Sequence, residues 1–289
     1  MPVTTTLVTS TDPKGIRATA LFHAKYNKAR LDDNRAQRLN DSHEFWSGVE
    51  KLIAECSAPN RYASEEVASS YTYPPEYAPK PLEAQIAILR NVWPKLEPGK
   101  QLIQLERQPL VSGAEAIFAF VRFQALAPIY NDAFVKEVLP AVSQSRNGTF
   151  YNYREGKLGS EYLRESIRTS DALAALFEQQ KGDILAAPMQ FGRTYRGKSV
   201  RRARELFVSG EFGACPLMVG SMLIVHPERE VRWGQLHIDC AGGEYSPKAD
   251  GRFTGAPYFD WNDSRLLFAS SDVSDPHEDF GSASALLPQ

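Results

Sequence analysis

The stretch FGRTYRGKSVRRAR, residues 191 to 204, contains the spacing GxxxxGKS that a phosphate-binding P-loop requires. In a P-loop, glycines let backbone N–H groups turn toward the phosphates at a helix N-terminus, lysine reaches the β- and γ-phosphates, and serine holds magnesium. Lys198 and Ser199 occupy those last two positions. The motif favours a site for a nucleotide with Mg²⁺, with Asp239 as the acid that would orient the metal.

The residues between the two glycines weaken this interpretation. Thr194 and Tyr195 resist the positive φ angles that close wrapping around a phosphate demands. Pro188 interrupts the approach from the preceding candidate strand, and His237 is an unexpected residue in a strand that should be apolar. A less demanding form of anion binding therefore suits this segment better than a nucleotide loop.

A cluster of cations is the main chemical feature of the chain. Between residues 190 and 204 there are six basic residues and no acid, and with Ser199 they form the predicted anion-binding site: Arg193, Arg196, Lys198, Ser199, Arg201, Arg202 and Arg204. Arginine offers planar bidentate donors to phosphate and carboxylate groups, and a helix N-terminus adds its own unpaired N–H groups. The cluster fits an acidic protein partner or nucleic acid.

An internal use of the same cations is equally open. From His226 to Ser282 the chain carries eleven acidic residues against five lysines and arginines. This acidic carboxy-terminal region could neutralise the basic segment within the molecule or across a subunit interface.

A second group of candidate residues lies in the stretch HIDCAGGEYSPKADG, residues 237 to 251. Asp239, Glu244 and His237 are the catalytic candidates, and Asp239, Glu244 and Asp250 form the densest polar grouping beside a predicted strand end. His237 and Asp239 alternate on a strand, as in a facial iron site completed by His277, and Cys240 with a histidine could form a thiolate nucleophile. Both patterns are incomplete, so no metal is predicted, and a glycine turn explains the stretch as well.

Composition and charge describe an ordinary globular chain. It has 289 residues, a net charge of −2 and 43% hydrophobic residues. No signal-peptide pattern and no apolar run of membrane-spanning length occur, which predicts a soluble cytoplasmic protein without membrane association. The three cysteines lack a CxxC pair and are predicted to be reduced thiols.

The pattern of apolar residues predicts helices in the amino-terminal part. Phe45, Val49, Leu52, Ile53 and Cys56 recur at helical spacing behind a capping serine or aspartate. One or two helices are predicted upstream of them, and another runs from residue 82 to 93. The tyrosine- and proline-rich residues 70–81 favour an extended conformation. Residues 1–97 are therefore predicted to be a mainly helical region.

The pattern changes near residue 98. QLIQLE, EAIFAFVRF, GDILAAP, LMVGSMLIV, RWGQLHID and SRLLFAS read as strands, with helices in IYNDAFVKEVLPAVSQS, in SDALAALFEQQ and from Ser199 to Phe207. Residues 98–289 are predicted to form an α+β domain with a largely antiparallel sheet, and an α/β arrangement is the alternative fold.

Two functional hypotheses follow. The first is a soluble, non-catalytic binding protein that engages an anionic partner through its basic loop and helix and forms a homo-oligomer to which the helical region contributes contacts. It needs no cofactor. The alternative is a P-loop-like nucleotide-binding or phosphoryl-handling enzyme that uses Lys198, Ser199 and Asp239.

Overall fold

The computed structural model describes residues 9–57 and 59–288. Its contacts divide the chain into two units, the first ending at Arg61 and the second beginning at Tyr62. The division falls earlier than the boundary predicted near residue 98, because the helix that follows residue 81 belongs to the second unit.

Three helices make up the described part of the first unit: α1 Pro13–Lys28, α2 Asp33–Asn40 and α3 His43–Ser57. The starts of α2 and α3 follow from capping chemistry. The side chain of Asp32 accepts a hydrogen bond from the backbone N–H of Arg35 at 2.8 Å, and Ser42 accepts one from Phe45 at 3.1 Å. The predicted amino-terminal helices are confirmed.

The helices of the second unit surround a sheet. They are α4 Leu82–Val92, α5 Leu102–Glu106, α6 Phe123–Leu126, α7 Tyr130–Asp132, α8 Leu139–Ser145, α9 Ile167–Gln179, α10 Val200–Leu206 and α11 Pro216–Val225. A π-helical segment, Ala133–Val138, joins α7 to α8, and a 3₁₀ turn, Pro227–Arg229, follows α11. No described helix is both long and apolar enough to cross a bilayer.

The strands form one mixed sheet. They are β1 Ala116–Val121, β2 Phe150–Asn152, β3 Leu163–Glu165, β4 Ile184–Arg196, β5 Glu211–Gly213, β6 His237–Asp239, β7 Gly243–Tyr245, β8 Gly255–Asn262, β9 Arg265–Asp272 and β10 Phe280–Leu286. The order is β1-β4-β10-β6-β8-β7-β3, with β5 on β10, β9 on β8 and β2 on β9. Pairing is antiparallel except between β10 and β6 and between β2 and β9. The fold is α+β, as predicted.

Two predicted strands are helices. LMVGSMLIV forms α11, whose residues are all buried. Because that helix is apolar on every side, its sequence has no helical period that could distinguish it from a buried strand. QLIQLE contains α5, in which Leu102 and Leu105 are both buried; their spacing of three places them on one side of a helix.

The two faces of the sheet differ around β6 and β8. Ile238 and Phe259 are paired across these strands and belong to the main apolar core, together with Cys240. Since side chains alternate along a strand, Asp239 and its partner Tyr258 lie on the opposite face. That face is polar, and the loop after β9 contributes to a pocket on it.

Candidate functional site

The predicted phosphate loop is part of a strand. β4 continues through Arg196 and pairs with β10, where Phe191 lies opposite Ala283 and Arg196 opposite Gly281. The backbone between the two glycines of GxxxxGKS is therefore extended. It lacks the curved run of N–H groups that cradles a phosphate.

The two glycines of this motif are required by close backbone approaches. A Cβ on Gly192 would lie 2.8 Å from the carbonyl oxygen of Gly281, and one on Gly197 would lie 2.2 Å from that of Val67. Both glycines have positive φ, 116° and 69°. The close packing of β4 against β10 and against Val67 therefore explains why glycine occupies positions 192 and 197, the two positions that resemble a nucleotide-binding motif.

The basic helix α10 is paired with carboxylates inside the second unit. Glu66 lies 2.6 Å from Arg202 and 3.2 Å from Lys198. Arg201 donates to both carboxylate oxygens of Glu65. These hydrogen bonds lower the pKa of Glu65 and Glu66. The partners come from a short segment before residue 70 and not from the acidic carboxy-terminal region that the sequence suggested.

The start of α10 is fixed by the same segment. Ser199 caps the helix by accepting from the N–H of Arg202 at 3.1 Å, and its hydroxyl donates to Glu65 at 2.7 Å. Arg202 also bonds Glu205, one turn on, at 2.7 Å. Ser199 therefore has a structural role at the helix N-terminus.

The remaining cations of the predicted anion site are used differently. Arg204 donates to the carbonyl oxygens of Ala241 and Gly243 at 2.8 and 2.7 Å. Arg193 and Arg196 are exposed at the end of β4; the first stacks on the ring of Tyr73, with 4.4 Å to the centroid. Only these two guanidinium groups of the cluster face solvent without an acidic partner among the described residues.

The polar face of the sheet carries a pocket of about 190 Å³. It is lined by Val200, Asp239, Ala256, Tyr258, Asp260, Ser271, Asp272, Asp275, His277 and Phe280. Four of these residues are aspartates and none is a lysine or arginine. The strands β6 and β8 supply Asp239 and Asp260, and the loop after β9 supplies Asp275 and His277. The pocket is strongly acidic.

Burial changes the protonation of the two aspartates from the strands. The pKa of Asp239 is raised to about 7, mainly by desolvation and also by the charge of Asp279, while Arg204 and His237 oppose the change. Desolvation raises the pKa of Asp260 to about 6, again with His237 opposing. These two carboxyl groups change charge near neutral pH.

Asp260 holds an unpaired polar atom. The residue is only 7% exposed, and its Oδ1 accepts no hydrogen bond from any described residue. A buried carboxylate oxygen without a partner costs free energy, because it has lost its hydration shell. Asp260 lines the pocket, so a donor placed there could satisfy this oxygen.

Behind the pocket, a buried histidine is paired with a buried glutamate. Nδ1 of His237 lies 2.5 Å from Oε1 of Glu230, and the same oxygen accepts a hydrogen bond from Gln235 at 2.7 Å. The other carboxylate oxygen of Glu230, Oε2, lies 3.2 Å from Arg229. Burial by itself would lower the pKa of His237, but the Glu230 carboxylate outweighs it and the pKa is raised. The buried Glu230 carboxylate therefore stabilises the protonated form of His237.

The other candidate residues lie apart from this pocket or are unreactive. Glu244 does not line it; its carboxylate pairs with Arg164 at 2.7 Å. Burial raises the pKa of Cys240 well above the ordinary thiol value, which opposes a thiolate nucleophile. Within the described residues, no three histidines, cysteines or acids are arranged to hold a metal ion.

The sequence identified Asp239 and His237 but missed Asp260, Tyr258 and Glu230. The stretch YFDWN offered one signal. Asp260 interrupts an apolar strand there and, being two positions after Tyr258, faces the same side of the strand.

Comparisons with protein-family models, with curated proteins and with solved structures found no significant match.

Proposed function

We propose that this chain is a binding protein whose acidic pocket takes a small organic cation, with an ammonium or guanidinium group placed between Asp239 and Asp260. The observation that carries the proposal is the buried, unpaired Oδ1 of Asp260 at the wall of the pocket. A cationic N–H donor would satisfy that oxygen with a charge-assisted hydrogen bond.

Charge and shape support a cation over other ligands. Four aspartates line the pocket and no lysine or arginine does, so the pocket carries a negative field once its two buried carboxyl groups ionise above about pH 7. Tyr258 and Phe280 add aromatic surface, which favours a cation further. A volume of about 190 Å³ is smaller than the 300 Å³ or more that is usual for drug-sized ligands, so the pocket suits a cationic head group.

Two ligands that differ in charge but hardly in shape test the proposal. Methylguanidinium should raise the melting temperature at pH 8, whereas methylurea, its neutral analogue, should not. Asp260→Asn should abolish the shift. Asp263→Asn is the matched control, since Asp263 lies in the β8–β9 turn outside the pocket. Equal shifts with both compounds, or an unchanged shift in Asp260→Asn, would refute the proposal.

Binding of an acidic protein or nucleic acid remains a prediction. It would rest on Arg193 and Arg196, because the other cations of the cluster bond to carboxylates or carbonyl groups of the same unit. The nucleotide alternative also remains a prediction, and residues 192–196 contribute no loop to it. A cytoplasmic location is likewise proposed from the composition alone.

A further inference from the structure

The three helices of the first unit contain large apolar side chains that are exposed to solvent. None of them contains a buried residue. The large hydrophobic residues that are exposed in α1 and α3 are Ile16, Leu21, Phe22, Trp46, Leu52 and Ile53. Helices of about 15 residues are marginal in water by themselves, so these need an apolar surface to cover them.

Helix α3 carries a regular apolar stripe. Phe45, Val49, Leu52 and Cys56 follow one another at spacings of four, three and four, which is the seam of a helix that packs on another helix. Leu52 is 59% exposed in the centre of this stripe, and Ile53, at 62%, borders it. Phe45 and Val49 are half-buried, so the unoccupied packing surface among the described residues is the carboxy-terminal half of the stripe.

Charge indicates what packs on this stripe. Helix α3 has three glutamates against one lysine; Glu55 lies beside the stripe on one side, and Glu50 lies on the other side, beyond Ile53. Helix α1 has four cations and no acid: Lys14, Arg17, Lys25 and Lys28. If a second α3 packed on the stripe, its glutamates would repel those of the first, whereas the cations of α1 would attract them.

The cations of α1 surround an apolar residue. At 100° per residue, positions 14, 17, 21, 25 and 28 share one side of the helix, with Leu21 in the middle. Lysine and arginine can cover apolar surface with their aliphatic stems while their charged ends reach the rim. This side of α1 therefore matches the stripe of α3 and its flanking glutamates.

We infer that α1 of one copy of this chain packs on the α3 stripe of a second copy, and that α3 of the first receives α1 of the second. The pairing is reciprocal, so a two-fold axis satisfies both surfaces at once. The helices match in length, with 16 and 15 residues. Within the described part of one chain neither helix has a buried residue, which leaves both surfaces available to a second copy.

Sedimentation velocity of the full chain tests the inference. Between about 1 and about 100 µM the wild type should form a species of twice the 32.2 kDa chain mass. Leu52→Glu places a charge in the stripe and should leave a monomer. Ser47→Glu adds the same charge on the opposite side of α3 and is the matched control. Circular dichroism checks that both variants keep their fold.

Exchanging the charges of α1 and α3 distinguishes specific pairing of the two helices from nonspecific association. Lys14→Glu with Lys25→Glu should weaken the dimer by about tenfold or more, and adding Glu50→Lys with Glu55→Lys in the same chain should restore it. A wild type that stays monomeric throughout, a dimer that survives Leu52→Glu, or an exchange that fails to rescue would each overturn the inference.

Discussion

Asp239 on β6 and Asp260 on β8 line the same pocket from adjacent antiparallel strands, and burial raises the pKa of both carboxyl groups toward neutrality. The fold keeps these acids in place with apolar packing on the other face of the same strands. Such an arrangement costs stability when the carboxylates ionise, and it is commonly found where a ligand compensates for that cost.

Asp239→Asn should make the protein more stable at pH 8 and should change little at pH 4. The pKa of Asp239 is about 7 in the fold, against 3.8 for an ordinary aspartate. The folded state thus holds a proton that the unfolded state releases, and stability falls as pH rises from about 4 to about 7. Each pKa unit corresponds to about 1.4 kcal/mol, so the gain at pH 8 should be a few kcal/mol.

Urea unfolding of both proteins at pH 4 and pH 8 measures this difference. Asp263→Asn should show the wild-type dependence on pH over the same range. A wild type whose stability rises between pH 4 and 7 relative to Asp239→Asn would contradict the assignment of a raised pKa to Asp239.

Arg202→Glu should destabilise the protein more than Arg201→Glu. The side chain of Arg202 is 9% exposed and pairs with Glu66 and Glu205, whereas that of Arg201 is 38% exposed and pairs with Glu65. Because the guanidinium of Arg202 is largely buried, a carboxylate in its place would lie poorly solvated beside Glu66 and Glu205, whereas exposed ion pairs contribute about 1 kcal/mol or less. Chemical denaturation gives both values. Equal and small losses of unfolding free energy in the two variants would show that the stability of α10 does not depend on these ion pairs.

Gly197→Ala should cost more than Gly210→Ala. Both glycines have positive φ, which costs an alanine about 1 kcal/mol or more. A Cβ at position 197 would also meet the Val67 carbonyl oxygen at 2.2 Å, whereas nothing lies within 4 Å at position 210. Melting temperatures of the two variants check the difference. Similar melting temperatures would mean that the contact with Val67 does not constrain position 197.

ATP or GTP with Mg²⁺ should leave the melting temperature unchanged. The residues between Gly192 and Gly197 are extended, and the amine of Lys198 is 3.2 Å from a carboxylate oxygen of Glu66. A ligand at 100 times its dissociation constant would stabilise by about 2.7 kcal/mol, which thermal unfolding detects easily. A nucleotide-dependent shift that Lys198→Ala removes would support the phosphoryl-handling alternative instead.

The elements predicted correctly from the sequence are those with a local signal. Helix α3 has a helical period and a capping serine, and Ser199 begins α10 as predicted. The helix α11 could not be recognised, because burial on all sides removes the period that distinguishes helix from strand.

The site was only partly predictable because its partners are distant in sequence. Arg201 and Glu65 are 136 positions apart, so their pairing depends on a contact that no local pattern encodes. Asp239 could be recognised as a polar residue at the end of a predicted strand, but nothing in the sequence alone places Asp260 beside it. That proximity comes from the pairing of β6 with β8.

Titration calorimetry with methylguanidinium at pH 6 and pH 8 tests the cation-binding proposal most directly. A cation binds the ionised carboxylates, and the pKa of Asp239 is about 7. Affinity should therefore rise by about tenfold between the two pH values, and binding at pH 7 should release protons, seen as heat that depends on the buffer. Affinity that does not change with pH, or no binding at pH 8, would contradict the account.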